Sequence, residues 1–77
     1  MENLLKRITL DPEIVHGKPA IRGTRILVSS ILEYLAGGDS VDEILKEFKE
    51  LTKEDILACL AYASKAINHQ EFKIPAA

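Results

Sequence analysis

At Val28 the spacing of apolar residues changes from about two to about 3.6 and then stays helical almost to the end of the chain. That change divides the chain into an extended arm and a helical body. Val28, Ile31, Leu32 and Leu35 fall on one helical face, and Gly37-Gly38 ends the helix with the positive-φ residue favoured past a C-terminus. Ser40, with Glu43 three residues on, forms a capping box for a second helix whose apolar stripe is Val41, Ile44, Leu45 and Phe48. Thr52 with Asp55 marks a third start, weaker because aspartate reaches back less well than glutamate. Ile56, Leu60, Ala63 and Ile67 follow it at helical spacing and predict the longest helix. Its other side, Leu57, Ala58, Ala61 and Tyr62, is also largely apolar. Those four residues are either a dimer interface or an expression of alanine's helix propensity.

Before Val28 the pattern is shorter. Leu4 to Leu10 partly alternates, with Leu4, Ile8 and Leu10 on one side, and reads as a strand. Asp11-Pro12 and Gly17-Lys18-Pro19 are turns, and Gly23 interrupts a second extended run from Ala20 to Leu27. The two runs can pair as a hairpin with a long loop, which is marginal alone and must pack on the helices or on another subunit. Lys6 and Arg7 suit the guarding of an exposed edge. The expected fold is mainly α: one domain over residues 1–77, with a β arm and loop at 4–27, a three-helix core on the plan of a helix-turn-helix at 28–68, and a loose tail at 70–77.

A chain of 77 residues has room for a single core. Cores of this size are marginal, and association with a second copy is a common remedy, so a homodimer is expected. The single cysteine, Cys59, has no internal disulfide partner and fits a reducing cytoplasm. The two leucines near the N-terminus are too short a run for a signal peptide, and no segment approaches the roughly 18 apolar residues of a membrane span. Net charge is −2, but residues 1–25 carry five cations against three acids, whereas residues 26–77 carry five against nine. A basic arm on an acidic body suggests an anionic partner for the arm.

No catalytic constellation is visible, and the chain is not expected to be an enzyme or to hold a cofactor. His16 and His69 are the only histidines, neither lies at metal-ligand spacing, and no metal site is expected. Gly17-Lys18-Pro19 lacks the preceding glycine and following hydroxyl of a phosphate loop. Ser29, Ser30, Ser40 and Thr52 read as helix caps rather than nucleophiles. A helix-turn-helix that reads DNA offers polar or basic groups at the start of its recognition helix, yet here that start is Thr52-Lys53-Glu54-Asp55. Nucleic-acid contacts are therefore expected from Lys18, Arg22, Thr24 and Arg25 on the arm. In the alternative, Arg22 and Arg25 salt-bridge to acids of the body or of a second subunit.

The order Asp11-Pro12-Glu13-Ile14, His16-Gly17-Lys18-Pro19, Ile21-Arg22-Gly23-Thr24-Arg25-Ile26-Leu27-Val28, Ser40-x-x-Glu43-Ile44-Leu45, Leu51-Thr52-x-Glu54-Asp55-Ile56 and Ala61-Tyr62-Ala63 resembles the small prokaryotic family catalogued as domain of unknown function 433. The likeness runs over about residues 8–66, with Val15 where the family often has a cysteine and Lys49 where it often has a proline. The first departure argues further against a thiol or metal role for the loop. The resemblance implies a short β arm on a winged-helix-like or homeodomain-like three-helix core, usually dimeric. It also implies an antitoxin-like regulator, neutralising a PIN-like ribonuclease toxin and binding promoter DNA. The competing reading is a protein-protein adaptor with a helix-turn-helix shape that does not bind DNA.

Overall fold

The computed structural model describes residues 1–69. The expected loose tail at 70–77 lies outside them. The chain runs through α1 (Glu2–Leu5), β1 (Ile8–Thr9), a single 3-10 turn (Val15–Gly17), β2 (Ala20–Ile21), α2 (Val28–Ala36), α3 (Val41–Glu47) and α4 (Lys53–Asn68). It is mainly helical with a short β arm, as expected.

The helix boundaries follow local chemistry. At the end of α2, Gly38 adopts φ +101°. This lets its N–H reach the Leu35 carbonyl at 3.0 Å and the Asp39 N–H reach the Tyr34 carbonyl at 3.0 Å. These are the paired bonds of a Schellman motif. Both predicted capping boxes form. The Ser40 N–H donates to Glu43 Oε1 at 2.8 Å and the Glu43 N–H donates back to Ser40 Oγ at 3.1 Å. The bonds from Ser40, main chain foremost, hold the Glu43 carboxyl below its ordinary pKa. Its contribution is therefore complete above the ordinary carboxylate range and is lost as pH falls through the lowered value. Ser29 and Ser30 do not cap α2: its N-cap is Leu27, without a side-chain bond. The Val28 N–H instead donates to the Pro19 carbonyl at 3.0 Å, so the arm itself terminates that helix.

The N-terminal run departs from expectation. Leu4 and Leu5 are helical, and the strand within the predicted Leu4–Leu10 run is only Ile8–Thr9. Leu4 and Ile8 are four residues apart, a separation that fits a helical turn as well as strand alternation. Leu10, predicted to face inward, is 57% exposed. The second run also shortens, because Ile21–Thr24 make a turn. The Thr24 N–H donates to the Ile21 carbonyl at 3.0 Å, with Gly23 at φ +81° in the third position, as a type II turn requires. Thr24 Oγ1 donates to the same carbonyl at 2.7 Å and accepts from the Ile26 N–H at 3.0 Å. The chain then doubles back, so that Ala20 faces Thr9 on one side and Leu27 on the other.

The core gathers Ile8 and Ile21 from the arm, Val28 and Ile31 from α2, Ile44 from α3, Leu51, and Ile56, Ala58 and Cys59 from α4. Helix α4 is the element against which α1, β1, α2 and α3 all pack. Its register is pinned at the start by Asp55, which is 8% exposed. Asp55 Oδ2 accepts from the Thr52 N–H at 2.9 Å, closing the capping box, while Oδ1 accepts from Arg7 at 3.1 Å. Arg7 therefore anchors the arm to α4 instead of guarding a strand edge. With Asp55 turned inward, Ile56, Ala58, Cys59 and Ala61 are buried, and Leu60 and Ile67, predicted to be inside, are 45% and 56% exposed.

Two expectations follow for stability. Asp55→Ala removes a cap and leaves Arg7 unpaired, and should lower the free energy of unfolding in urea by about 2–3 kcal/mol. Arg7→Ala, at a side chain 42% exposed, should cost about 1 kcal/mol or less in the same assay. At Gly23 an added Cβ meets nothing within 4 Å, so Gly23→Ala carries only the conformational penalty of a positive φ. A loss of about 1 kcal/mol is expected, much of it recovered by Gly23→Asn.

Candidate binding surfaces

The four residues predicted to contact nucleic acid separate into structural and available groups. Arg22 extends along the arm, its Nε donating to the Lys6 carbonyl at 2.7 Å and its terminal nitrogen to the Ile8 carbonyl at 3.3 Å. It staples the chain before β1 to the turn after β2. Thr24 is occupied in holding that turn. Lys18 and Arg25 are exposed and line one cleft of about 370 Å³ with His16 and Glu13. Arg22 lies in a different cleft of about 330 Å³, with Lys6, Arg7 and Asp55. The two clefts share no residue. Among the described residues Arg22 and Arg25 form no salt bridge, and the ion pair is Arg7–Asp55.

The loop that carries His16 is strained. Val15, His16 and Gly17 have φ of 43°, 58° and 78°, three left-handed residues in succession. A β-branched side chain is strongly disfavoured there. The turn is closed by the Gly17 N–H to the Ile14 carbonyl at 3.1 Å and the Lys18 N–H to the Val15 carbonyl at 3.2 Å. Upstream, Asp11 takes the Ile14 N–H on its carbonyl and the Glu13 N–H on Oδ1, both at 2.9 Å.

Of the residues predicted for a dimer interface, Leu57 is exposed, Tyr62 is half-buried, and Ala58 and Ala61 lie inside the chain's own core. The outward apolar stripe of α4 is instead Leu57, Leu60 and Ile67, 38%, 45% and 56% exposed. Sequence reasoning reversed Leu60 and Ile67. With Asp55 turned inward, residues two, five and twelve positions later point outward; the capping box alone does not give this, since the acid of the Ser40–Glu43 box is exposed.

A third surface went unnoticed in the sequence. A groove of about 690 Å³, open to solvent, runs between the arm and α2, with Val15, Leu27, Tyr34 and Phe48 as its apolar lining. Tyr34 meets Phe48 edge-to-face, ring centres 5.6 Å apart at 73°. Arg25, Glu33 and Asp39 supply its charges. No periodicity joins residues 15, 27, 34 and 48, so only the tertiary fold reveals it.

Cys59 is fully buried, and its thiol pKa is pushed up to about 11, first by burial and then by the Asp55 charge. It stays protonated at neutral pH. Among the described residues no three His, Cys, Asp or Glu side chains stand together as a metal site. No described helix is long and apolar enough to cross a membrane.

A crystal structure of a DUF433 member protein from Anabaena variabilis superposes with a TM-score of 0.77 at 29% identity, covering 88% of this chain and 67% of that one. An uncharacterized protein of Sinorhizobium fredii, y4eO, is 36% identical over 56 residues, which are 73% of this chain but only 25% of that protein. This chain thus spans about a quarter of that relative's length. The family described as "Protein of unknown function (DUF433)" matches residues 8–63, nearly the whole arm and body, and the chain belongs to that family.

Proposed function

We propose that the chain is a small antitoxin-like regulator that acts by binding rather than catalysis, and that its first contact is with a second copy of itself through α4. The supporting observation is the stripe of Leu57, Leu60 and Ile67 on the outward side of the longest helix. Three large apolar side chains there are unfavourable in water and unsuited to a DNA groove, where polar and basic groups make the base contacts. Two such helices packed together cover the stripe and enlarge a core that is small for one chain.

The dimer then presents the acidic residues of the helical body, Asp42, Glu43 and Glu47 on α3 and Glu54 on α4, to a basic partner. The PIN-like ribonuclease implied by the sequence resemblance is the partner proposed. Complementary charge would speed their encounter and make it sensitive to salt. Promoter DNA is the secondary reading, favoured by the grouping of Lys18, Arg25 and His16 in one cleft. An adaptor without DNA affinity would use the same protein-binding faces. Cytoplasmic residence is part of the proposal, since both partners would be there.

Sedimentation equilibrium should give a dimer for the wild type and a monomer for Leu60→Asp at equal concentration; the variant should still fold, because Leu60 lies outside the core, but with a lower melting temperature that no longer depends on protein concentration. A monomeric wild type would remove the dimer. Co-expression with the product of the adjacent gene should give co-purification and rescue growth, and failure of both would refute the antitoxin reading. For the DNA clause, Lys18→Ala and Arg25→Ala should each weaken duplex binding and lower the salt slope by about one. Arg22→Ala should mainly lower thermal stability. Absence of duplex binding at low salt leaves the adaptor form.

A further inference from the structure

The groove beside the arm has a wall able to form main-chain bonds. Leu27 is antiparallel to Ala20, and the bonds flanking that pair are Ile21 N–H to the Ile26 carbonyl at 2.9 Å and Val28 N–H to the Pro19 carbonyl at 3.0 Å. Ala20 and Leu27 are thus a non-hydrogen-bonded pair, so the Leu27 N–H and carbonyl point away from β2, the carbonyl accepting from the Ile31 N–H at 3.3 Å. Among the described residues the Arg25 N–H, the Arg25 carbonyl and the Leu27 N–H take no hydrogen-bond partner. This segment is the unpaired edge of a miniature sheet, and Arg25 and Leu27 also line the groove.

The groove's charges are separate as well. Arg25 forms no ion pair with Glu33 or Asp39. Beyond Arg25 the adjoining cleft adds Lys18 and His16, with Glu13 as its acid. The surface therefore has a predominantly cationic end at Arg25 and Lys18, an apolar middle at Leu27, Tyr34 and Phe48, and an acidic end at Glu33 and Asp39.

We propose that this groove is a docking site for an extended peptide segment of a partner protein, added as a strand along residues 25–27. One apolar side chain of the segment enters between Tyr34, Phe48 and Leu27, an acidic one meets Arg25 and Lys18, and a basic one meets Glu33 and Asp39. Strand addition takes affinity from the edge's main-chain groups and specificity from alternate side chains. The volume of about 690 Å³ lies within the range of roughly 300–1,000 Å³ typical of small-ligand sites and suits a few residues of such a segment. The left-handed turn at Val15–Gly17 contributes Val15 to both clefts at the point where they meet. This site is independent of the α4 stripe, and it assigns Arg25 to a peptide rather than to a duplex.

The test is to pan a phage-displayed library of random decapeptides against the full chain and to measure the recovered peptides by fluorescence polarisation. Recovered sequences should place an apolar or aromatic residue between an acidic and a basic one. Arg25→Glu should weaken them about tenfold or more, with recovery when the peptide's acid is replaced by lysine. N-methylation of the one peptide amide that donates to the Arg25 carbonyl should abolish binding, whereas methylation of the amides on either side of it should not. Leu27 has φ −74°, a value proline adopts, so Leu27→Pro should keep the melting temperature within a few degrees and lose the peptide. Failure to enrich any peptide would overturn the proposal, as would enriched peptides indifferent to N-methylation. Peptides that resist Arg25→Glu but are lost on Leu60→Asp would place binding on α4 and overturn it too. Duplex affinity that disappears with Arg25→Glu, without peptide binding, would make the cleft a nucleic-acid surface instead.

Discussion

One carboxylate, that of Asp55, joins the two halves of the molecule. Its Oδ2 closes the N-terminus of α4 through Thr52, and its Oδ1 receives Arg7 from the arm. A buried acid is tolerable only with partners, and here they come from opposite ends of the sequence, 48 residues apart in the case of Arg7. The consequences spread through the fold. Asp55 sets which side of α4 faces inward, and that side determines which leucines remain in water. Arg7, in turn, places β1 against α4, and the Ile21 N–H and Arg22 guanidinium then organise the doubled-back turn. The arm is therefore not an appendage on a helical bundle: it shares an ion pair with the bundle and terminates α2.

How much of this was legible depended on the range of the interaction. The bounds of α3 and α4 and the glycine end of α2 were readable, because each is decided within about four residues by a hydroxyl, a carboxylate or a missing Cβ. The arm was not. Leu4, Leu5 and Ile8 satisfy two periods at once, and the choice is made by α4, against which the short N-terminal helix packs. Ser29 and Ser30 looked like caps for a helix that is in fact started by a bond from Val28 to Pro19, a contact that local sequence does not announce.

The binding surfaces were legible in composition and not in assignment. Lys18, Arg22, Thr24 and Arg25 form a single basic cluster along the chain, but folding gives them different work. Arg22 satisfies the Lys6 and Ile8 carbonyls and Thr24 the Ile21 carbonyl, and only Lys18 and Arg25 face a common cleft. Charge alone does not reveal this difference, because a guanidinium serves a carbonyl as readily as a phosphate. On α4 the large apolar residues were recognised, yet alanine is equally at home in a core and on a surface. The assignment of faces rested on where Asp55 turned.

The burial of Cys59 has a separate consequence. The only thiol in the chain is inaccessible and protonated while the protein is folded, and becomes an ordinary reactive cysteine once α4 leaves the core. Folding thus shields the thiol from oxidants and unfolding uncovers it: a cross-link or sulfenic acid formed at Cys59 could not be rehoused in a site packed against Ile31 and Ile44's cluster. Oxidation would prolong a transient opening until the thiol was reduced again, so the lifetime of the protein under oxidative stress is tied to how seldom its core opens.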